Sequence, residues 1–180
     1  MMMTRLTSPL YPATLGGFLL LTLAAGCGSG VDHASAVQVM NLALSGTVAA
    51  DGQVVSVNLD PAGGQVTAAL TNLAGSGSAT VHGTLTHNGP VTTTTLDIEL
   101  KDWSDLLHHV TLDGSLHEAG SFSSQLPLLG DVKLTGALAA SGDISATVDF
   151  DVQASYSLTS LKVTGDVGGQ SMGSGINISL

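Results

Sequence analysis

The sequence has little of what usually announces a function. Among 180 residues there is one cysteine, Cys27, and aromatic side chains make up 3% of the chain. A single cysteine excludes an intrachain disulfide, so packing and hydrogen-bonded ladders have to hold the fold. The shortage of aromatics leaves the core to Leu, Val, Ile, Ala and Met, each of which removes less apolar area from water than a ring does. Basic residues are scarce as well. Arg5, Lys101, Lys133 and Lys162 stand against 14 acidic residues, a formal net charge of −10. A field of that sign repels phosphate backbones and anionic headgroups, which disfavours nucleic acid as a partner and electrostatic docking to a membrane. Cations and neutral ligands stay open.

Catalytic and metal signatures are equally thin. Gly169-Gln170-Ser171-Met172-Gly173 matches the G-x-S-x-G pattern of a hydrolase nucleophile elbow. That motif works on a sharp strand-to-helix turn with a His later in the chain, and no His follows Gly173, so the match is an accident of a Gly- and Ser-rich sequence. The six histidines, His33, His82, His87, His108, His109 and His117, have no zinc-site spacing. His108 and His109 are adjacent and point to opposite faces of a strand, the first with Val110 and Leu112, the second toward solvent with Thr111 and Asp113. Asp149 and Asp151 share the polar face of one strand. A hard cation asks for six or more oxygens and no D-x-D-x-D-G loop is present, so these two read as a solvated face that discourages edge pairing. The sequence offers no catalytic residue, metal ligand or cofactor motif, and the chain reads as non-enzymatic.

What is present begins with a leader. Arg5 supplies a positive start, and Leu15 to Ala25 forms an apolar stretch well short of the ~20 residues a spanning helix needs. Leu23-Ala24-Ala25-Gly26-Cys27 closes that stretch with small residues before a cysteine, and it resembles the lipobox of bacterial lipoproteins. One position departs from that family's pattern: Ala24 stands where Leu is usual. The resemblance covers the leader alone. It implies acylation of the Cys27 thiol, palmitate being a typical chain, removal of residues 1–26, and stable membrane anchoring through several acyl chains together. Gly28 after the cysteine implies, by the same resemblance, sorting to the outer membrane. An ordinary cleaved signal peptide, giving a secreted or periplasmic protein, is the alternative. Residues 27–36 are small and polar and read as a flexible tether, and 37–180 reads as a single β-rich domain.

Within that domain apolar residues recur at every second position. Met40, Leu42, Leu44, Gly46 and Val48 share one face while Asn41, Ser45 and Thr47 take the other, and Ile144, Ala146, Val148, Phe150 and Val152 alternate with Asp143, Ser145, Thr147, Asp149 and Asp151. Both runs predict half-buried strands, and no segment shows a comparable helical period. Turn signals at Asp51-Gly52, Ala62-Gly63-Gly64, Gly75-Ser76-Gly77, Asn88-Gly89 and Ser141-Gly142 divide the chain into about ten short strands. The fold class is therefore all-β: an antiparallel meander in a curved sheet, half-barrel or barrel-like. A recurring unit supports the curvature. An apolar residue, x, Gly, x, an apolar residue, three residues, then Gly, x and an apolar residue starts at Leu44, Val81, Leu112 and Leu134, with a weaker copy at Val163. The second Gly fits a hairpin turn. The first lies mid-strand, where a missing side chain marks a bend or a close backbone approach. A lipid-facing barrel is the poorer match, because such barrels carry aromatic girdles and an outward apolar band.

One segment, Lys101 to His108, interrupts the alternation and holds the sole tryptophan. Trp103, Asp105 and His108 are the candidate recognition residues, since loops on a rigid scaffold often carry binding. The alternative for Trp103 is that it closes one end of the core. The leading expectation is a cell-envelope lipoprotein that is structural or binds an apolar ligand in a cavity left by inward Gly and small aliphatics. The other is a surface adhesion or interaction module that uses its Thr/Ser-rich face or strand edges. Expected partners are thus the membrane through Cys27 and an apolar ligand or envelope protein.

Overall fold

The computed structural model describes residues 30–57, 60, 62–106, 109–123, 130–156 and 161–173. Eight strands follow one another in an antiparallel meander: β1 (Gly63–Thr71), β2 (Gly75–Asn88), β3 (Val91–Asp105), β4 (Val110–Ser123), β5 (Gly130–Gly142), β6 (Ala146–Tyr156), β7 (Leu161–Val167) and β8 (Gln170–Met172). They pair in chain order, β1 to β8, and among the described residues the sheet does not close into a barrel. Each strand meets its neighbour in antiparallel register, as alternation punctuated by Gly-containing turns dictates. On β3, Thr92, Thr94, Leu96, Ile98 and Leu100 are buried while Thr93, Thr95, Asp97, Glu99 and Lys101 are exposed. The same division on β6 buries Val148, Phe150 and Val152 and exposes Thr147, Asp149 and Asp151, as the sequence predicts.

Ahead of the sheet stands a feature the alternation misassigns. Residues His33–Val57 form a helix, α1, where the alternation of Met40 to Val48 predicts a strand and Asp51-Gly52 a turn. The core positions Ala36, Val39, Ala43, Thr47, Ala50 and Val54 are all fully buried, and their three- and four-residue steps are a helical stripe. Met40, Leu42, Leu44 and Gly46 are buried too, so at 100° per residue the covered arc exceeds half the circumference. That near all-round apolarity produces the apparent period of two. The tether also ends earlier than Ala36: Val31 is already buried, and Asp32 caps the helix. Its Oδ1 accepts from the Ser35 N–H at 2.9 Å and its Oδ2 from the Ser35 hydroxyl at 3.0 Å, which satisfies an otherwise orphaned donor. The Ser35 backbone bond, then the hydroxyl, holds the Asp32 carboxyl below its usual range.

Helix α1 lies across the concave side of the sheet. It packs against β1, β2, β3, β4 and β7, so the sheet curls around it and the two make a single core. The interior expected to hold a cavity is filled by the chain's own helix. Gly46 permits a close approach: a Cβ there would sit 3.0 Å from Leu100 Cδ2 and 3.4 Å from the Trp103 ring. Here the reading of a mid-element Gly as a close backbone approach holds on a helix rather than a strand.

The strand copies of the repeat behave as predicted in their first glycine. Gly83, Gly114, Gly136 and Gly165 all have positive φ inside strands, and a Cβ at any of them would strike backbone of the neighbouring strand. The second glycine is less uniform. Gly89 and Gly142 lie at hairpin ends with positive φ, whereas Gly120 sits within β4, paired with Thr94 and Val132, and Gly52 is helical.

Two substitutions separate these roles by thermal unfolding. Gly52 is an exposed helical residue, and a Cβ added there would meet nothing within 4 Å, so Gly52→Ala raises stability by roughly 0.5–1 kcal/mol; a hairpin glycine would respond with a loss. Gly136 has φ +136° and a Cβ there would lie 2.5 Å from the Ser115 carbonyl oxygen, so Gly136→Ala costs roughly 1–3 kcal/mol. An unchanged melting temperature in Gly136→Ala removes the close-approach role.

Candidate functional site

The exposed side of α1 and the adjacent end of the sheet enclose two adjoining clefts of about 310 and 270 Å³. Ser45, Asn72 and Ala74 line both. The first adds Ala49 and Gln53 from α1, Leu70 and Thr71 from β1, Leu73, and Trp103. The second adds Gln38, Asn41, Leu42 and Asp105. Leu42, Ala49, Leu70, Leu73, Ala74 and Trp103 make the lining mainly apolar, with amide and carboxyl groups at its margins, the composition of a small-ligand site. A depression of about 370 Å³ at the other end of β1, lined by Asp60, Gly63, Gly64, Gln65 and Thr67 with Val57 and Val66, offers mostly polar side chains and backbone.

Local geometry builds the cleft. The segment from Lys101 to His108 is not a long loop: β3 runs on to Asp105, with a register shift between Leu100 and Trp103. Asp102, at φ +51°, absorbs the extra residue, and its N–H donates to Asp113 Oδ1 at 2.9 Å. Such a bulge turns Trp103 inward. Trp103 is 2% exposed, and its Nε1–H donates to Ser45 Oγ at 3.2 Å, so the ring both closes one end of the core and floors the cleft. Asp105 reaches the second cleft. His108 and Cys27 lie outside the described residues.

Asn72 is the residue that sequence reading misses. It is buried, its Nδ2 donates to the carbonyls of Ser76 at 3.2 Å and Ser104 at 2.6 Å, and its Oδ1 accepts from the Ala74 N–H at 3.0 Å. With Ser76 Oγ 2.7 Å from Ser104 Oγ, it ties the β1–β2 turn to the end of β3. The Asn-Leu-Ala-Gly string is a turn signal, but its pairing partner is 32 residues away and leaves no local trace.

A second polar feature lies between helix and sheet. Glu118 occupies a cross-strand row otherwise made of Val66, Gly83, Leu96, Leu134, Val152, Gly165 and Met172, and it is completely buried, as is Asp51 of α1. Thr94 Oγ1 donates to Glu118 Oε1 at 3.0 Å. Glu118 Oε2 and both Asp51 oxygens find no hydrogen-bond partner among the described residues, and the two carboxyl groups lie near enough for each to influence the other's protonation. A proton resolves the geometry, because a protonated carboxyl donates to its partner. Burial, then the charge of Glu118, pushes Asp51 well above the usual carboxylate range. Burial raises Glu118 too, against the opposing influence of the neighbouring Asp51 carboxyl and of the hydrogen bond it accepts from Thr94. The pair is sealed from solvent, so no substrate reaches it.

The remaining candidates are placed as follows. His109 is exposed, as expected. His82, Asp97 and His117 stand in register on the convex face, with His82 Nδ1 3.2 Å from Thr67 Oγ1 and His117 Nδ1 2.9 Å from Asp97 Oδ1. Lys133 reaches Asp151 at 3.0 Å. Among the described residues no group of three or more His, Cys, Asp or Glu is arranged to hold a metal ion, and no helix is long and apolar enough to cross a membrane. Ser171 lies exposed on β8, after a two-residue hairpin turn at Gly168 and Gly169, a strand-to-strand setting unlike a nucleophile elbow.

The buried pair fixes a pH dependence. A carboxyl whose folded pKa is raised contributes stability that is complete below its unfolded value and lost as pH rises through the folded one. Thermal stability of the native protein therefore falls as pH rises above the ordinary carboxylate range. Asp51→Asn keeps a donor toward Glu118 and removes the proton requirement; it flattens that slope and raises stability at the alkaline end by roughly 1–3 kcal/mol. A variant with the slope of the native protein shows that Asp51 does not carry the proton. Against protein-family models, curated proteins and solved structures alike, the chain finds no match.

Proposed function

We propose that this is a non-enzymatic, lipid-anchored protein of the cell envelope that binds a small apolar ligand, of the class of a single acyl chain, in the cleft beside α1. The observation that carries the reading is the convergence of the sole tryptophan, the helix face and the β1–β2 turn on an open, mainly apolar recess. Its size is at the lower end of the range typical of ligand pockets. The ligand is held at the rim of the core and not inside it, because α1 occupies the concave side. The non-enzymatic part is supported by the sealing of Asp51 and Glu118 and by the hairpin setting of Ser171. The anchor is supported by the lipobox resemblance at Cys27, and outer-membrane sorting by Gly28.

Trp103 is the only tryptophan, so its emission reports on the cleft directly. Titrating the mature protein with palmitate as the probe gives a saturable change in Trp103 emission, and Ala49→Phe, which fills the recess, weakens apparent affinity at least about tenfold, ~1.4 kcal/mol. No change at saturating probe overturns the ligand reading.

A second reading, an adhesion or interaction module, is favoured by the convex face. There Thr67, His82, Asp97, His117, Thr135, Asp151 and Asp166 form one continuous cross-strand row, a polar surface suited to hydrogen-bonding partners. Protease digestion of intact cells that spares the domain excludes a surface-adhesive role.

A further inference from the structure

We infer that the end of the sheet bearing the β1–β2 and β3–β4 turns rests against a lipid surface, with Leu73 and Leu106 entering its interface, so that the Trp103 cleft opens onto the membrane. This rests on the anchoring reading above and deepens it. Leu73 is 97% exposed and Leu106 82%, far beyond any other large apolar side chain among the described residues. Both stand on turns at one end of the sheet. They are neighbours, since Gly75 pairs with Asp105 and Asn72 bonds to Ser104. Two exposed leucines side by side on turn tips are costly in water and suited to the apolar side of a headgroup layer.

The start of the described chain is at the same end. A Cβ on Gly30 would lie 3.5 Å from the carbonyl oxygen of Gly168, in the β7–β8 turn, and Gly30 also borders Asp143 to Ala146, between β5 and β6. Cys27 is three Cα–Cα steps from Gly30, a reach of at most about 11 Å at 3.8 Å each. Acyl chains on Cys27 therefore hold this end, and not the opposite one, at the bilayer. The exposed leucines and the position of Gly30 are independent observations that select the same pole. Asp32, Asp102, Asp105 and Asp143 lie near it, which selects neutral headgroups over anionic ones. The cleft shares Leu73 with this pole, so a single acyl chain passes between bilayer and cleft without crossing water.

The test uses the acylated mature protein in phosphatidylcholine vesicles. Acylation occupies the only native thiol, so Leu73→Cys, Leu106→Cys or Asn88→Cys each presents one site for an environment-sensitive fluorophore, Asn88 being exposed at the opposite end of β2. Spin-labelled phosphatidylcholine quenches the labels at 73 and 106 at least threefold more than the label at 88, and aqueous iodide shows the reverse order. Equal quenching at all three overturns the orientation, as does strong iodide quenching at 73 and 106, the result expected if those leucines meet a protein partner instead. The mass of the amino-terminal peptide from the same preparation separates the two readings. An unmodified Cys27 overturns the anchor and the orientation with it, whereas an acylated Cys27 with water-exposed labels overturns the orientation alone.

Discussion

The molecule depends on one cover. An antiparallel sheet with an apolar concave face and a polar convex face is not stable in water until something apolar lies in the concavity. Here α1 does so, and the dependence is mutual. A 25-residue helix containing Gly46, Gly52 and several β-branched valines has poor intrinsic propensity and draws its stability from the sheet it fills. Every other feature follows from that contact. Gly46 sets how near the helix comes, the bulge at Asp102 aims Trp103 at it, and the recess beside Trp103 is the strip of helix that the sheet leaves uncovered.

The same contact explains why two acids sit in an apolar interface. Leucine at positions 51 and 118 would suit the surroundings better, and the carboxyl pair makes docking conditional on a proton. The helix thus carries one carboxyl of the pair, Asp51, into that interface. The proposed ligand cleft runs along its free side, so occupancy of the cleft and seating of the helix are physically adjacent.

Legibility in the sequence tracks the range of the interactions involved. β2 to β7 can be read because their alternation is local and their hairpins are marked by residues such as Asn88-Gly89. The close approaches at Gly83, Gly114, Gly136 and Gly165 are readable from the mid-strand glycine alone. The helix is not, although Ala36, Val39, Ala43, Thr47, Ala50 and Val54 hold its stripe. Thr47 is a polar member of that stripe, buried Asp51 borders it, and Met40, Leu42 and Leu44 beside it imitate a strand. Trp103 and Asp105 stand out in the sequence as part of a loop, and the segment that carries them is in fact a bulged strand. Asn72 and the Asp51–Glu118 pair are invisible there, because each owes its role to a partner brought close only by the tertiary fold.

Chain order gives the cover a further consequence. The helix precedes every strand it packs against, so in a chain that appears amino terminus first α1 emerges before any part of its binding face exists. Contacts with β1, β2 and β3 become available early, while those with β7 wait for nearly the whole remaining length to emerge. Through that interval an apolar segment close to the proposed anchor has no partner within the chain. Delay between emergence of the helix and completion of the sheet therefore exposes this protein at its helix first, which makes the segment His33–Val57 the natural target of any holding factor that meets the unfinished chain.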